Sequence, residues 1–275
     1  GMGQLFATVL KRNGLNVTIT EPREKKGKAV AKGLGVKFEQ DNKAATELAD
    51  ITIITVPIRK TLDVIKEVAP TLKEGSLLMD LTSVKEEPCK AMADDAPENV
   101  EVVGCHPIFG PMVKDFKDQN FVFCPIRSDN TFQLFKKILK KEGAKIVECS
   151  PKEHDKAMGV VQGMTHFMLI SAGITMRDLD FDLEKSKEFS SPVYQLAMDL
   201  IGRILGQDPS LYGEIQLNNE ETAEVRKSYL AAAKRLDGII SKKDEDAFIE
   251  EMQKAAKHFG DTKGALKRTQ KLLKK

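Results

Sequence analysis

Residues 51–56 read Ile-Thr-Ile-Ile-Thr-Val, a continuous run of apolar and β-branched side chains that ends at Pro57. A strand with one solvent-facing side alternates apolar and polar residues, and this run does not alternate in that way. A continuous run is typical of a parallel strand that is covered on both faces of its sheet. The run therefore predicts an α/β fold.

Six further β-rich runs surround this one in the first 150 residues, separated by helical patterns such as residues 61–69 and 131–142. Strands and helices that alternate at this spacing indicate βαβ units and a doubly wound sheet. The predicted strands are Asn16–Thr20, Val36–Glu39, Ile51–Val56, Ser76–Leu81, Val100–Cys105, Asn120–Pro125 and Lys145–Cys149.

The character of the sequence changes at Ser150. Residues 150–153, Ser-Pro-Lys-Glu, predict a capping box with proline at the first helical position. Only helical patterns follow, at residues 151–178, 191–206, 220–240 and 243–274. We therefore predict an α/β domain over residues 1–149 and an all-helical domain over residues 150–275.

The last helical pattern carries an apolar stripe, because Phe248, Met252, Ala255 and Phe259 recur at helical spacing. Such a stripe is interpreted as core or as subunit interface. A helical segment of this size has limited means of burying all its stripes alone, so the sequence predicts a homodimer formed by the helical domain.

The beginning of the chain carries the later part of a dinucleotide-binding fingerprint. Gly3 stands at the start of an amphipathic helical pattern, and Glu21 follows the next predicted strand. In Rossmann-like domains, a carboxylate about 20 residues after the glycines binds the adenosine ribose. Met2 and Gly3 at the helix N-terminus, with Glu21 and the turn at Val56 and Pro57, therefore predict an NAD site.

The first strand and the first two glycines of this fingerprint would fall before residue 1. We expect about eight to twelve further residues, an apolar strand ending in glycines, before Gly1 in the natural gene, and weak NAD binding without them. Glu21 favours NAD over NADP because its carboxylate repels a 2′-phosphate, whereas Arg23, which can accommodate that phosphate, leaves NADP open.

A histidine follows the predicted strand 100–105, in the segment His-Pro-Ile-Phe-Gly-Pro at residues 106–111. Prolines and a glycine restrict its backbone, and a neutral imidazole accepts a proton near pH 7. The preceding strand leads into Asp-Leu-Thr-Ser-Val-Lys at residues 80–85, and ligands bind where neighbouring strands of an open sheet end. We predict His106 as general base and Ser83 as the hydroxyl that orients it. Lys85 is either a substrate ligand or a solvated lysine at a helix start.

These two segments resemble the prephenate dehydrogenase family of tyrosine biosynthesis. The resemblance covers nearly the whole chain in order, through residues 153–155, 162–167, 190–194, 201–203 and 207–212. It implies NAD(P)-dependent oxidative decarboxylation of prephenate to 4-hydroxyphenylpyruvate, with His106 accepting the proton of the C4 hydroxyl.

The resemblance also implies roles for residues of the helical domain. Arg203 matches an arginine that binds a substrate carboxylate, for which a planar guanidinium is suited. His166 matches a pocket histidine, with a buried helix histidine as the alternative, and Tyr212 is a further pocket candidate. His154 is expected at the surface or at the pocket rim. Gln195 departs from members that carry a second arginine there, which leaves the carboxylate contacts open.

Two other interpretations stay open. An arogenate dehydrogenase performs the same chemistry on an amino rather than a keto side chain, and a non-catalytic ligand-binding protein would explain the incomplete fingerprint. Prephenate is the expected partner, and tyrosine is a candidate feedback inhibitor that the sequence does not test.

Composition excludes several other classes. Forty-three basic residues against 41 acidic ones leave a net charge of +2, which argues against nucleic-acid binding as the main function. The longest apolar run, residues 51–58, is shorter than the roughly 18 residues of a membrane span, so no membrane partner is expected. Four cysteines without a paired motif predict free thiols in a reducing cytoplasm and no metal site.

Overall fold

The computed structural model describes residues 1–273, and the chain divides into two compact units, Gly1–Met158 and Gly159–Lys275. The first unit contains all seven strands together with helices α1 to α7, and the second contains helices α8 to α14. The α/β class of the first part and the helical class of the second are both confirmed. Each unit is described by itself below.

All seven predicted strands are present, each within two residues of its predicted ends or slightly longer. The strands are β1 Thr18–Thr20, β2 Lys37–Glu39, β3 Ile51–Ile54, β4 Leu77–Asp80, β5 Glu101–Pro107, β6 Asn120–Arg127 and β7 Lys145–Glu148. The helices of this unit are α1 Met2–Arg12, α2 Glu24–Leu34, α3 Asn42–Glu47, α4 Ile58–Val68, α5 Glu86–Asp95, α6 Asn130–Lys141 and α7 Pro151–Met158.

The strands form a five-stranded sheet of order β3-β4-β5-β6-β7 and a separate pair, β1-β2. Strands β3, β4 and β5 are parallel, as are β1 with β2 and β6 with β7. The pairing of β5 with β6 is antiparallel, so the large sheet is mixed. A parallel neighbour needs a crossover, usually a helix, and residues 108–119 between β5 and β6 form none.

Helix α1 packs against strands of both sheets. Its Phe6, Val9 and Leu10 are buried in one apolar cluster, to which residues beside β1 and within β3, among them Val17 and Ile51, also contribute. The sheet is thus interrupted between β1 and β3 at the position where a doubly wound fold of this order has its first strand. Within residues 1–273, β1 and β3 both lie beside α1 but form no backbone hydrogen bonds with each other.

The predicted start of the helical segment is confirmed in detail. The Ser150 hydroxyl accepts a hydrogen bond from the Glu153 amide at 3.2 Å, and the Glu153 carboxylate accepts one from the Ser150 amide at 2.9 Å. Helix α7 therefore begins at Pro151. A π-helical turn, Gly159–Met164, follows it and leads into α8.

The second unit is helical throughout its described residues. It contains α8 Thr165–Asp178, α9 Leu183–Ser186, α10 Pro192–Leu205, α11 Pro209–Asn218, α12 Glu221–Ser241, α13 Glu245–Phe259 and α14 Thr262–Leu272. The single helix predicted over residues 243–274 is wrong, because Gly260 adopts a left-handed backbone with φ 83° and ends α13. The predicted end at Lys274 lies outside the described residues.

Large apolar side chains of α12 to α14 remain exposed in the single chain. Met252 is 66% exposed, Phe259 71% and Leu266 61%. The stripe on α13 is therefore not part of a core within one chain, which leaves the subunit-interface interpretation as a prediction.

One helical stretch, residues 151–178, is long and apolar enough to cross a membrane by length and composition alone. Its apolar residues are interrupted by Gln162, Thr165 and His166, so it contains no long uninterrupted apolar run. A helix of a soluble bundle can be equally long and apolar.

Candidate active site

The predicted catalytic segments lie at the carboxyl ends of adjacent parallel strands. Strand β4 ends at Asp80, which pairs in register with Gly104 of β5, and His106 follows two residues later on β5. Every residue of both strands is buried, and His106 is only 3% exposed. The fold therefore places the imidazole at the sheet edge where ligands of doubly wound proteins bind.

The His106 imidazole is the first member of a buried hydrogen-bonded chain. Its Nδ1 lies 2.8 Å from Nε2 of His154, and Nδ1 of His154 lies 2.7 Å from Oδ1 of Asp155. Asp155 also accepts hydrogen bonds from the amides of Lys85, at 2.8 Å, and Glu86, at 2.9 Å. The carboxylate thereby satisfies amide groups at the N-terminus of α5, which have no partner within a helix.

The prediction that His154 lies at the surface or at a pocket rim is wrong, because only 1% of the residue is exposed. The charged neighbours in the sequence led to that prediction. Helix α7 turns its Glu153 outward to the capping box and buries the next two side chains against the sheet. The signal that could have found them is a neighbouring His-Asp pair one turn into a helix that follows the last strand.

Lys85 is fully buried, and its ammonium pairs with the carboxylate of Asp80 and lies 3.2 Å from the Thr82 hydroxyl. A buried ammonium with a buried carboxylate is an internal ion pair, which is costly to break. This geometry favours a role in fixing the loop after β4. The substrate-binding role of Lys85 stays a prediction, as does the hydroxyl role of partly buried Ser83 in the same loop.

The electrostatic environment keeps His106 neutral. Burial lowers the pKa of His106 well below its usual value, and the Lys85 ammonium lowers it further. Desolvation disfavours the charged form of an imidazole, and a nearby positive charge does the same. At neutral pH, His106 therefore has a lone pair with which to accept a proton.

The predicted nucleotide residues lie around the N-terminus of α1 and the ends of β1 and β3. Met2 begins α1, and a Cβ atom on Gly3 would approach the Thr55 hydroxyl to 2.6 Å, so the helix packs more closely than a side chain would permit. The close approach at Gly3 is what the last glycine of the fingerprint provides. Val56 packs against an apolar cluster, and Pro57 precedes α4.

Glu21 lies just beyond β1 and is held by two basic side chains. Its carboxylate accepts a hydrogen bond from Nε of Arg23 at 2.8 Å, and the Lys26 ammonium lies 3.1 Å from its other oxygen. The hydrogen bonds from Arg23 and, to a lesser extent, Lys26 lower the pKa of Glu21 to about 2 against the opposing effect of desolvation. The carboxylate is therefore ionised, but in a locally basic setting.

The second unit brings two of the three residues predicted there, His166 and Tyr212, into contact. The rings of His166 and Tyr212 meet edge to face with centroids 4.7 Å apart, and Tyr212 is buried. Burial raises the pKa of Tyr212, and the charge of exposed Arg203 opposes that rise. Burial also lowers the pKa of His166, whose Nδ1 is buried without a hydrogen-bond partner among the described residues.

The π-helical turn before His166 was not predicted. Its Gly163 carbonyl accepts a hydrogen bond from the Gln216 side chain at 2.8 Å. Single π turns inside helices are frequent at functional sites. The side chain of Gln195 donates to the Ser190 hydroxyl at 2.9 Å. Among residues 1–273, no group of three or more histidine, cysteine or acidic side chains is placed to hold a metal ion.

Comparisons with known proteins match both units. The family described as "Prephenate dehydrogenase, nucleotide-binding domain" matches residues 6–148, and "Prephenate dehydrogenase, dimerization domain" matches residues 150–254. The chain is similar to a probable arogenate/prephenate dehydrogenase of Methanocaldococcus jannaschii, with 44% identity over 94% of this chain and 59% of that protein. It is also similar to the T-protein of Enterobacter agglomerans, with 32% identity over 94% of this chain and 65% of that protein.

The chain therefore spans less than two thirds of the length of these two relatives. Among solved structures, it is similar to the Aquifex aeolicus prephenate dehydrogenase in complex with hydroxyphenyl propionate and NAD⁺. The TM-score is 0.76 at 21% identity, and the match covers 92% of each chain. At that identity the likeness concerns the fold.

Proposed function

The chain belongs to the prephenate dehydrogenase family, and from that premise we propose that it catalyses NAD-dependent oxidative decarboxylation of prephenate to 4-hydroxyphenylpyruvate. The observation that carries the proposal is the buried, neutral His106 at the carboxyl end of β5. A neutral imidazole in that place is equipped to accept the proton of an alcohol.

His106 takes the proton of the C4 hydroxyl as the carbon–hydrogen bond at C4 breaks and the oxygen becomes a carbonyl. When bound, the dinucleotide supplies the hydride acceptor. The ring carboxylate then leaves as carbon dioxide, and its electron pair makes the ring aromatic with a phenolate oxygen. That oxygen regains a proton, for which protonated His106 is the available donor, so the base is restored.

Arg203 is proposed to bind a substrate carboxylate, with His166 and Tyr212 beside it. An exposed guanidinium has donors for both carboxylate oxygens, and the unsatisfied Nδ1 of His166 offers a further polar contact. These assignments rest on the family resemblance, on the contact between His166 and Tyr212, and on the effect of the Arg203 charge on the pKa of Tyr212.

The residues present fit the ribose end of NAD. The Glu21 carboxylate at the end of β1 accepts hydroxyl hydrogen bonds, and Gly3 permits the close packing of α1 that the fingerprint requires. Arg23 and Lys26 beside Glu21 offset its charge, which supports use of NADP as well.

Arogenate is the second candidate substrate, because the name of the Methanocaldococcus relative includes both activities. The test is turnover of prephenate and of arogenate with NAD and with NADP. The proposal predicts a higher kcat/KM for prephenate with NAD. A higher value for arogenate would favour the alternative, and no turnover of either substrate would contradict the enzymatic proposal.

We also propose that residues 1–149 bind the nucleotide and that residues 150–275 bind substrate and dimerise. The exposed apolar side chains of α13 and α14 support the dimer. Sedimentation should show a species of twice 30.5 kDa, and only the 30.5 kDa chain at micromolar concentration would contradict it. Inhibition by tyrosine stays a prediction.

A cytoplasmic location is proposed from the cysteines. Cys89, Cys105, Cys124 and Cys149 are free thiols, and the first three are buried. Burial raises the pKa of Cys89 to about 12 and that of Cys105 well above its usual value. Protonated, buried thiols are unreactive, as suits structural cysteines of a reducing compartment.

A further inference from the structure

We propose that Asp155 and His154 fix the tautomer of His106, so that Nδ1 of His106 carries the hydrogen and Nε2 is the nitrogen that accepts the substrate proton. The inference deepens the proposed function and rests on it for the catalytic consequence. It assigns His154 and Asp155 as positioning residues, since the chain reaches the reacting proton only through His106.

The hydrogen bonds of Asp155 identify it as an acceptor. The amides of Lys85 and Glu86 donate to its two oxygens at 2.8 and 2.9 Å. A backbone N–H group donates and cannot accept, so both Asp155 oxygens are acceptors. Asp155 is therefore a carboxylate, and the 2.7 Å contact with Nδ1 of His154 requires a hydrogen on that nitrogen.

His154 transmits this direction to His106. A neutral imidazole has one donor nitrogen and one acceptor nitrogen. With hydrogen on Nδ1, Nε2 of His154 is the acceptor, and the 2.8 Å contact requires Nδ1 of His106 to donate. Neutral His106 then holds its lone pair on Nε2.

The alternative is a doubly protonated His154, which would donate from both nitrogens and reverse the assignment at His106. In that form His154 and Asp155 would be an ion pair, since Oδ1 of Asp155 lies 2.7 Å from Nδ1 of His154. His106 would then carry its hydrogen on Nε2 and have no nitrogen left to accept a proton from the substrate. The neutral chain is the arrangement that leaves His106 able to act as a base.

During the reaction the same chain stabilises the proton that His106 acquires. The new imidazolium still donates from Nδ1 to His154, and the Asp155 charge lies one imidazole further away. Because Asp155 is bound to the first amides of α5, its carboxylate is held in place before the reaction. The Asp155 carboxylate therefore orients both the loop that carries Lys85 and, through His154, the base His106.

The test is nitrogen NMR of the imidazoles in the protein without substrate or coenzyme. The chain has four histidines, so one variant for each assigns the spectrum. The wild type should show neutral His106 with hydrogen on Nδ1 and neutral His154 with hydrogen on Nδ1. Hydrogen on Nε2 of His106, or a doubly protonated His154, at neutral pH would overturn the inference.

Asp155→Asn tests the direction of the chain. The amide oxygen can still accept from the α5 amides, but its NH₂ donates to Nδ1 of His154 and reverses both tautomers. We expect hydrogen on Nε2 of His106 and a kcat lower by about two to four powers of ten, with little change in KM. An unchanged tautomer together with an unchanged kcat would overturn the inference.

Two further variants separate this effect from damage to the fold. Asp41→Asn changes another helix-capping aspartate, which accepts from the Lys43 amide at 2.8 Å on α3, and should leave the spectrum and kcat unchanged. His154→Gln keeps an acceptor for His106 and a donor for Asp155, and should retain more activity than His154→Leu. Equal losses in both His154 variants with the wild-type His106 tautomer would contradict the positioning role.

The NMR result is independent of the proposed function. A wild-type protein that shows the expected tautomers but turns over neither prephenate nor arogenate would contradict the proposed function alone. A protein that turns over prephenate with the opposite tautomer would contradict the inference alone.

Discussion

The two units present their polar side chains in opposite ways. In the first unit, His106, His154 and Asp155 are buried and bonded to one another and to the backbone of α5. In the second unit, Arg203 is exposed and His166 keeps a buried nitrogen without a partner among the described residues. We propose that this difference reflects a division of work, in which the first unit holds a preorganised base and the second offers groups to a ligand.

If the two units divide the work in this way, the largest loss of activity should follow from substitution of His106. His106→Ala should lower kcat by about two to four powers of ten, because a general base acts in the transition state, while KM changes little. Steady-state kinetics with prephenate measure both constants. His258→Ala, at an exposed position of α13, is the matched control and should leave both unchanged. A near-normal kcat in His106→Ala would remove this residue from the mechanism.

A substitution at Arg203 in the second unit should change KM rather than kcat. Arg203→Ala removes a charge-assisted hydrogen bond worth about 1.5–3 kcal/mol, so KM for prephenate should rise by about one to two powers of ten. Arg268→Ala, which breaks an exposed ion pair with Asp261, should have no such effect. A wild-type KM in Arg203→Ala would show that the carboxylate is bound elsewhere, and a fall in kcat alone would break the division between the units.

The smallest effect is expected for coenzyme choice. Glu21→Ser removes the carboxylate and leaves Arg23 and Lys26 to meet a 2′-phosphate. The ratio of kcat/KM for NADP to that for NAD should rise about tenfold, equivalent to about 1.4 kcal/mol. Glu24→Ser, an exposed position paired with Lys28, is the control. An unchanged ratio in Glu21→Ser would mean that Glu21 does not contact the ribose.

The strands of the first unit are predictable because local pattern determines them. The continuous apolar run at β3 and the capping box at Ser150 both depend on neighbouring residues, and both are confirmed. The antiparallel placement of β6 is not encoded in its own residues, which read like those of any buried strand. Only the lack of a crossover helix after β5 carries that information.

The residues of the candidate active site are likewise predictable only where the local sequence identifies them. His106 stands out because prolines and a glycine surround it at a strand end. His154 does not, because its role depends on a contact with a residue 48 positions away, and charged neighbours in the sequence resemble a surface. The π-helical turn before His166 and the left-handed Gly260 are likewise set by packing and by backbone conformations that several sequences permit.

The central claim, that buried and neutral His106 is the base, is tested most directly by the pH dependence of kcat/KM for prephenate. His106 is surrounded by His154, Asp155 and the Lys85–Asp80 pair, and its pKa lies well below the usual 6.5. A lowered pKa means that the active, neutral form persists as the pH falls and is lost only when the pH passes the lowered value. The account predicts an acid limb with its midpoint below pH 6.5 that disappears in His106→Ala. A midpoint at or above 6.5, or an acid limb unchanged in that variant, would contradict it.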